Sequence, residues 1–239
     1  MLTSLPPLPN KPRRPRRLWW LVGAGGALAI LLLILLTGGN DGQHPAPAVT
    51  PDTPHVPGPP WRHGPGAARF TIVVYADLEC PFCQSYVPLL REWIDAQSDI
   101  NLQWHHLPLA AHEPAAGAAA RWVECVGEAH GHARFWDAVS WVYQHTRGSG
   151  QGLPPGVDYP EQDQTVRACQ QSERPAAAVA AQTEQARREG VEGTPSLRLI
   201  DHASERAMTL TGPVQGDALL SALDLLASPF TAEEKPDAP

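Results

Sequence analysis

Phe70-Thr-Ile-Val-Val-Tyr-Ala76 is followed four positions later by Cys80-Pro-Phe-Cys83, and this junction constrains the fold more than any other part of the chain. The first run is β-branched and aromatic, and it reads as a buried strand. Asp77-Leu78-Glu79 turns the chain. After the cysteines, the apolar residues Val87, Leu89, Leu90, Trp93 and Ile94 recur at helical spacing. A strand running directly into a helix predicts an α/β domain.

The two cysteines carry the candidate chemistry. Residues three apart on a helix lie about 5–6 Å from each other at Cβ, and a disulfide needs about 3.5–4.5 Å. A slightly tightened first turn closes that gap, so the bond can form and break with little backbone motion. Cys80 lies where unsatisfied helix amides point outward and favour a thiolate. It is the expected nucleophile, and Cys83, one turn in, the resolving thiol. Pro81 fits a first helical turn, where an amide has no intrahelical partner to lose. Two other readings remain open: a static disulfide closing a very short loop, and a zinc site. The zinc site needs two more ligands, and no second Cys-x-x-Cys exists. Cys125, His130 and His132 match no common zinc spacing.

The rest of the 239-residue chain sorts by charge and composition. Lys11, Arg13, Arg14, Arg16 and Arg17 precede an uncharged run, Leu18 to Leu36, and all acids lie at Asp41 or later. Nineteen helical residues span about 28 Å, close to the hydrocarbon thickness of a bilayer. The expectation is a cytoplasmic basic arm (1–17), a transmembrane signal-anchor (18–36) and a domain on the far side. A cleaved signal with a soluble product is the alternative; Ala46-Pro47-Ala48 is the one A-x-A-like site. Residues 37–68, rich in Pro from Pro45 to Pro65, read as a semi-rigid linker. The folded part is expected over 69–227 and a disordered tail over 228–239. The net charge of -7 argues against a nucleic-acid partner. Four cysteines are too few for a disulfide scaffold of this size.

Within 69–227 the pattern predicts a strand at Ile100 to Leu107, then helices over Ala115 to Ala129, Phe135 to His145, Tyr159 to Gln171 and Pro175 to Glu189. Strands at Ser196 to Ile200 and Ala207 to Leu210 suggest a hairpin, before a last helix from Gln215 to Ala227. The order is an α/β sheet interrupted by a helical insertion at about 112–190.

Val73 to Cys83, V-V-Y-A-D-L-E-C-P-F-C, resembles the active-site strand and helix start of the DsbA-like thiol:disulfide oxidoreductases, bacterial-envelope members of the thioredoxin superfamily. Gly193-Thr194-Pro195-Ser196 resembles their cis-proline loop, and Gly131 to Val142 their helical insertion. The resemblance spans about Phe70 to Leu226. It implies a thioredoxin-like fold with Cys80 attacking and Cys83 resolving, tuned by Glu79, Pro81 and Phe82. It also implies that Thr194 and cis Pro195 face the disulfide and hold an extended substrate segment.

The function so implied is oxidation of reduced or misoxidised exported proteins, with no metal or other cofactor and with a membrane partner that resets the pair. An isomerase or reductase, or a non-catalytic component of an envelope secretion or transfer assembly, are the alternatives. Two departures stand out. Val74 occupies the position where many relatives carry a buried acid, so Asp77 or Glu79 would have to substitute. Phe82 stands where the strong oxidant of the family has a histidine.

Cys125 and Cys169 fall in the insertion. In an oxidising compartment they are expected to pair, as some DsbA-like proteins pair cysteines in this region; two buried free thiols, or a second redox relay or metal site, are the other options. His105, His106, His112, His130 and His132 share no helix face and read as surface or strand-end residues. Trp93, Trp122, Trp136 and Trp141 read as packing residues.

Overall fold

The structure is a computed structural model that describes residues 58–160 and 162–228. The chain divides into two units, Met1–Asp52 and Thr53–Pro239, and the described residues belong to the second. The expected basic arm, the signal-anchor at 18–36, most of the linker and most of the tail lie outside them. No helix among the described residues is long and apolar enough to cross a membrane.

In chain order the elements are β1 (Arg62–His63), β2 (Phe70–Ala76), α1 (Pro81–Asp95), β3 (Ile100–His106), α2 (Ala115–His130), α3 (His132–His145), α4 (Gln164–Gln170), α5 (Arg174–Arg188), β4 (Ser196–Asp201), β5 (Arg206–Thr211) and α6 (Gly216–Ala227). A 3-10 turn at Ala110–His112 leads into the insertion. The sheet order is β1-β3-β2-β4-β5. β2 and β3 run parallel, joined through α1. β2 pairs with β4 antiparallel, and so does β4 with β5.

β2 lies centrally, and all seven of its residues are buried. Its alternation serves both faces. Phe70, Ile72, Val74 and Ala76 join the large core beneath α1, α2 and α3, while Val73 and Tyr75 meet Leu107, Ala186 and Val191 on the other side. The hairpin β4–β5 holds Arg198 opposite Thr209. Arg69 clamps its far end through two bonds to Asp201, each 3.0 Å long.

Four local expectations need correction. The linker expected over 37–68 gives way to structure near its end: Trp61 is completely buried and Arg62–His63 pair with β3. A two-residue strand has no periodicity to detect. What holds it is remote: the Trp61 indole donates to Glu124 at 2.8 Å and stacks on Phe135. The helix expected from Tyr159 starts only at Gln164, because the Asp163 side chain caps it by accepting the Val166 amide. Leu89, expected on the apolar face of α1, is 63% exposed. His105 and His106 are strand-end residues but interior ones. His106 lies 3.2 Å from Glu124 and accepts the Trp104 indole proton, and His105 contacts the Gln182 carbonyl.

Candidate active site

α1 begins at the end of β2, where the sheet delivers the chain to its surface. Cys80 is the N-cap of α1 and Pro81 its first residue. No side chain caps this end, so the amides of the first turn are free to point at the Cys80 sulfur. Pro88 lies inside α1 and removes one helical bond.

Cys80 and Cys83 are both free thiols, buried at 3% and 0% exposure. Cys80 Sγ donates to the Thr194 carbonyl at 3.4 Å. The Cys80 thiol is lowered to about 5. The chief cause is a hydrogen bond from Cys83, helped by Thr194 and by the Cys83 and Phe82 amides, while burial opposes it. Burial pushes the Cys83 thiol far up, and Cys80 pushes it in the same direction; the Asp77 amide pulls it down. The pair therefore divides its labour: Cys80 is the thiolate at neutral pH and Cys83 keeps its proton.

Thr194-Pro195 is a cis peptide, at the start of β4 beside the thiols. The Thr194 hydroxyl is buried without a hydrogen-bond partner of its own, and it can turn toward a thiolate. Phe82, between the cysteines, is 65% exposed. Its ring adds nothing to the electrostatics of the thiols beyond its backbone amide.

The two acids near the cysteines are interior. Asp77 accepts the Glu79 and Leu109 amides at 2.6 and 2.8 Å, and its outer oxygen lies 2.7 Å from His112 Nδ1. Glu79 accepts the Thr146 hydroxyl at 2.5 Å and the Gly152 amide at 3.0 Å. Each carboxylate is thus bound to groups other than the thiols. Val74 is buried in the apolar core.

Sequence reasoning missed Tyr143. It lies in the last turn of α3, 4% exposed, and its hydroxyl donates to the Asp77 carbonyl at 3.3 Å. A tyrosine near the end of an amphipathic helix gives no local sign of this. A groove of about 350 Å³ runs along α1, lined by Tyr86, Leu89, Leu90, Trp93 and Val214 among others. Away from this site, Cys125 is joined to Cys169. His130 pairs with Asp163, and His132 accepts the Arg62 amide. Cys125 and these histidines are thus engaged with other partners. Among the described residues no cluster of three or more His, Cys, Asp or Glu could hold a metal ion.

A dithiol at a helix start, one sulfur acidic and the other buried, facing a cis-proline loop across the end of a mixed sheet, defines a dithiol–disulfide exchanger of thioredoxin build. The thioredoxin family model matches residues 57–213. The crystal structure of DsbA2 from Pseudomonas aeruginosa is 40% identical; the match covers 72% of this chain and 96% of that one, with a TM-score of 0.67. BdbD from Bacillus subtilis, in its oxidised form, shares the fold at 17% identity, over 72% of this chain and 97% of that one, with a TM-score of 0.55. The chain belongs to the thioredoxin family, among its DsbA-like thiol:disulfide oxidoreductases. A stretch of 97 residues, 41% of this chain, is also 35% identical to the Na(+)/H(+) antiporter NhaA 1 of Salinispora arenicola. This chain spans only 14% of that protein's length.

Proposed function

We propose that this chain is a membrane-tethered, envelope-facing oxidase that introduces disulfides into exported proteins through Cys80 and Cys83. The observation that carries this reading is the acidity of Cys80 beside a fully buried Cys83. A substrate thiolate attacks Cys80 Sγ of the Cys80–Cys83 disulfide, that bond breaks, and Cys83 leaves as a thiolate and takes up a proton. A second substrate thiolate then attacks the substrate sulfur of the mixed disulfide and expels Cys80 as a thiolate. Two electrons have passed from substrate to the pair, and a membrane redox partner must take them away.

Linkage supports the oxidising direction. A Cys80 pKa of about 5 favours the reduced form at pH 7 by about 3 kcal/mol over an ordinary thiol. That makes the disulfide more oxidising by roughly 60 mV. Thr194 and Pro195 offer an extended substrate segment a backbone edge. Phe82 and the groove along α1 offer it apolar contact.

The reduction potential of the pair tests the reading, together with oxidation of a reduced, unfolded secretory protein by wild type and by Cys80→Ala. A potential near the thioredoxin value of about -270 mV, or activity only on scrambled disulfides, would replace the oxidase with a reductase or isomerase. Exchange activity that survives Cys80→Ala would remove the site itself. The anchor at 18–36 is supported by its length and its basic flank. Protease should reach the domain in spheroplasts, and high salt should not release it. A soluble form beginning near Val49 would show cleavage instead.

A further inference from the structure

His112 ends the 3-10 turn that leads into the insertion. Its sequence neighbours, two alanines and a glutamate, give it the look of a surface histidine. Its side chain is only 15% exposed, and Nδ1 lies 2.7 Å from Oδ2 of Asp77, a carboxylate with no exposed surface. The same oxygen accepts the Leu109 amide at 2.8 Å, and Oδ1 accepts the Glu79 amide at 2.6 Å. An oxygen that already accepts leaves His112 Nδ1 as the donor. Of these three donors on Asp77, His112 is the one side chain.

The histidine is held in place from behind. Its own amide donates to the Leu109 carbonyl at 2.9 Å. Gly150 packs so closely that a Cβ there would lie 2.8 Å from His112 Cα, so the position admits no side chain. Gly150 belongs to the loop that Glu79 fastens through the Gly152 and Ser149 amides. Asp77 and Glu79 thus grip two segments that touch each other, and Cys80 follows them directly in the chain. The Cys80 amide closes the turn on the Asp77 carbonyl at 3.2 Å. That turn delivers Cys80 to the N-cap of α1, with Sγ 3.4 Å from the Thr194 carbonyl.

A buried carboxylate that loses a donor is costly. Without the Nδ1 proton, the relief open to Asp77 is to swing toward water. That movement breaks the short bond to the Glu79 amide and loosens the turn, and small misplacements at a reacting centre are expensive. We infer that His112 is a positioning residue of the exchange reaction: its Nδ1 proton, held by Asp77, fixes the Asp77–Cys80 turn and so sets Cys80 Sγ against the Thr194 carbonyl and the first-turn amides of α1. This role rests on the exchange reaction proposed above. His112 acts through Asp77, and the bonds that form and break are those already given.

The test uses the full chain and two substitutions. His112→Phe keeps a ring and removes the donor, while His112→Asn puts an amide N–H close to where Nδ1 lies. In the reduced protein, His112→Phe should raise the Cys80 alkylation midpoint from about 5 by about one unit, and His112→Asn should keep it. In a single turnover, oxidised protein is mixed with a dithiol peptide. His112→Phe should release the oxidised peptide several-fold more slowly, because a less acidic Cys80 is a poorer leaving group. A merely structural contact would lower the melting temperature and leave the midpoint alone, so a wild-type midpoint in His112→Phe would overturn the inference. So would equal shifts in both variants, which mark packing rather than the proton. A second measurement needs no substitution: nitrogen NMR of the wild-type ring should find the proton of neutral His112 on Nδ1, and a bare Nδ1 would overturn the inference as well. A wild-type protein with the expected midpoint that releases no oxidised peptide would instead overturn the proposed function, and the role of His112 with it.

Discussion

The Thr146 hydroxyl donates to Glu79 Oε1 at 2.5 Å, so the residue before Cys80 is fastened to a position 67 residues later, just past the end of α3. The second Glu79 oxygen takes the Gly152 amide and its carbonyl takes the Ser149 amide. One residue thereby pins the whole 146–152 loop against the start of α1. Ser149, with φ of 54°, and Gly148, Gly150 and Gly152 let this loop turn tightly enough to do so.

Glu79→Ala should cost about 1–3 kcal/mol, because a buried hydroxyl and a half-buried amide lose their acceptor. Glu79→Gln keeps an acceptor for one of them and should cost less. Equilibrium unfolding in denaturant reads both values. Equal stability of wild type and Glu79→Ala would mean that the loop is held by other contacts.

Alkylation of reduced Cys80 should show a midpoint near pH 5. The sign for stability follows from a depressed folded pKa. The stabilisation is fully present above the unfolded thiol value of about 8.5, and it is lost as pH falls through 5. Reduced wild type should therefore lose about 2 kcal/mol between pH 7 and 5 relative to Cys80→Ser. An alkylation midpoint at or above 8.5 would remove the basis for calling Cys80 the nucleophile.

The Cys125–Cys169 bond closes a loop of 44 residues, for which chain entropy gives about 4 kcal/mol. Replacing both cysteines with Ala should lower the melting temperature and leave the Cys80–Cys83 potential nearly unchanged. A large shift in potential with little loss of stability would place this pair in the redox relay.

Leu89 is exposed at the groove along α1. Leu89→Gln should leave stability within about 0.5 kcal/mol, as surface changes do. It should reduce kcat/KM several-fold on an unfolded protein substrate and spare glutathione, a small polar tripeptide. Equal losses on both substrates would show that the groove plays no part in grip.

What the sequence determined by itself was local. Phe70 to Ala76 is a strand with the expected ends, because seven apolar and β-branched residues suit both faces of a covered central strand. α1 begins at Pro81, and the β4–β5 hairpin lies where alternation placed it. These signals act within a few residues, through φ/ψ preference and apolar period, so they survive without knowledge of the fold. The tertiary structure alone decided the partners. Trp61 finds Glu124, and Glu79 finds Thr146. The exposure of Leu89 belongs with them, since it turns on the angle at which α1 meets the sheet. Such contacts depend on helix phase and on which long loops close. Neither is written in any short window of residues, because the free energy that fixes them comes from burying the whole core at once.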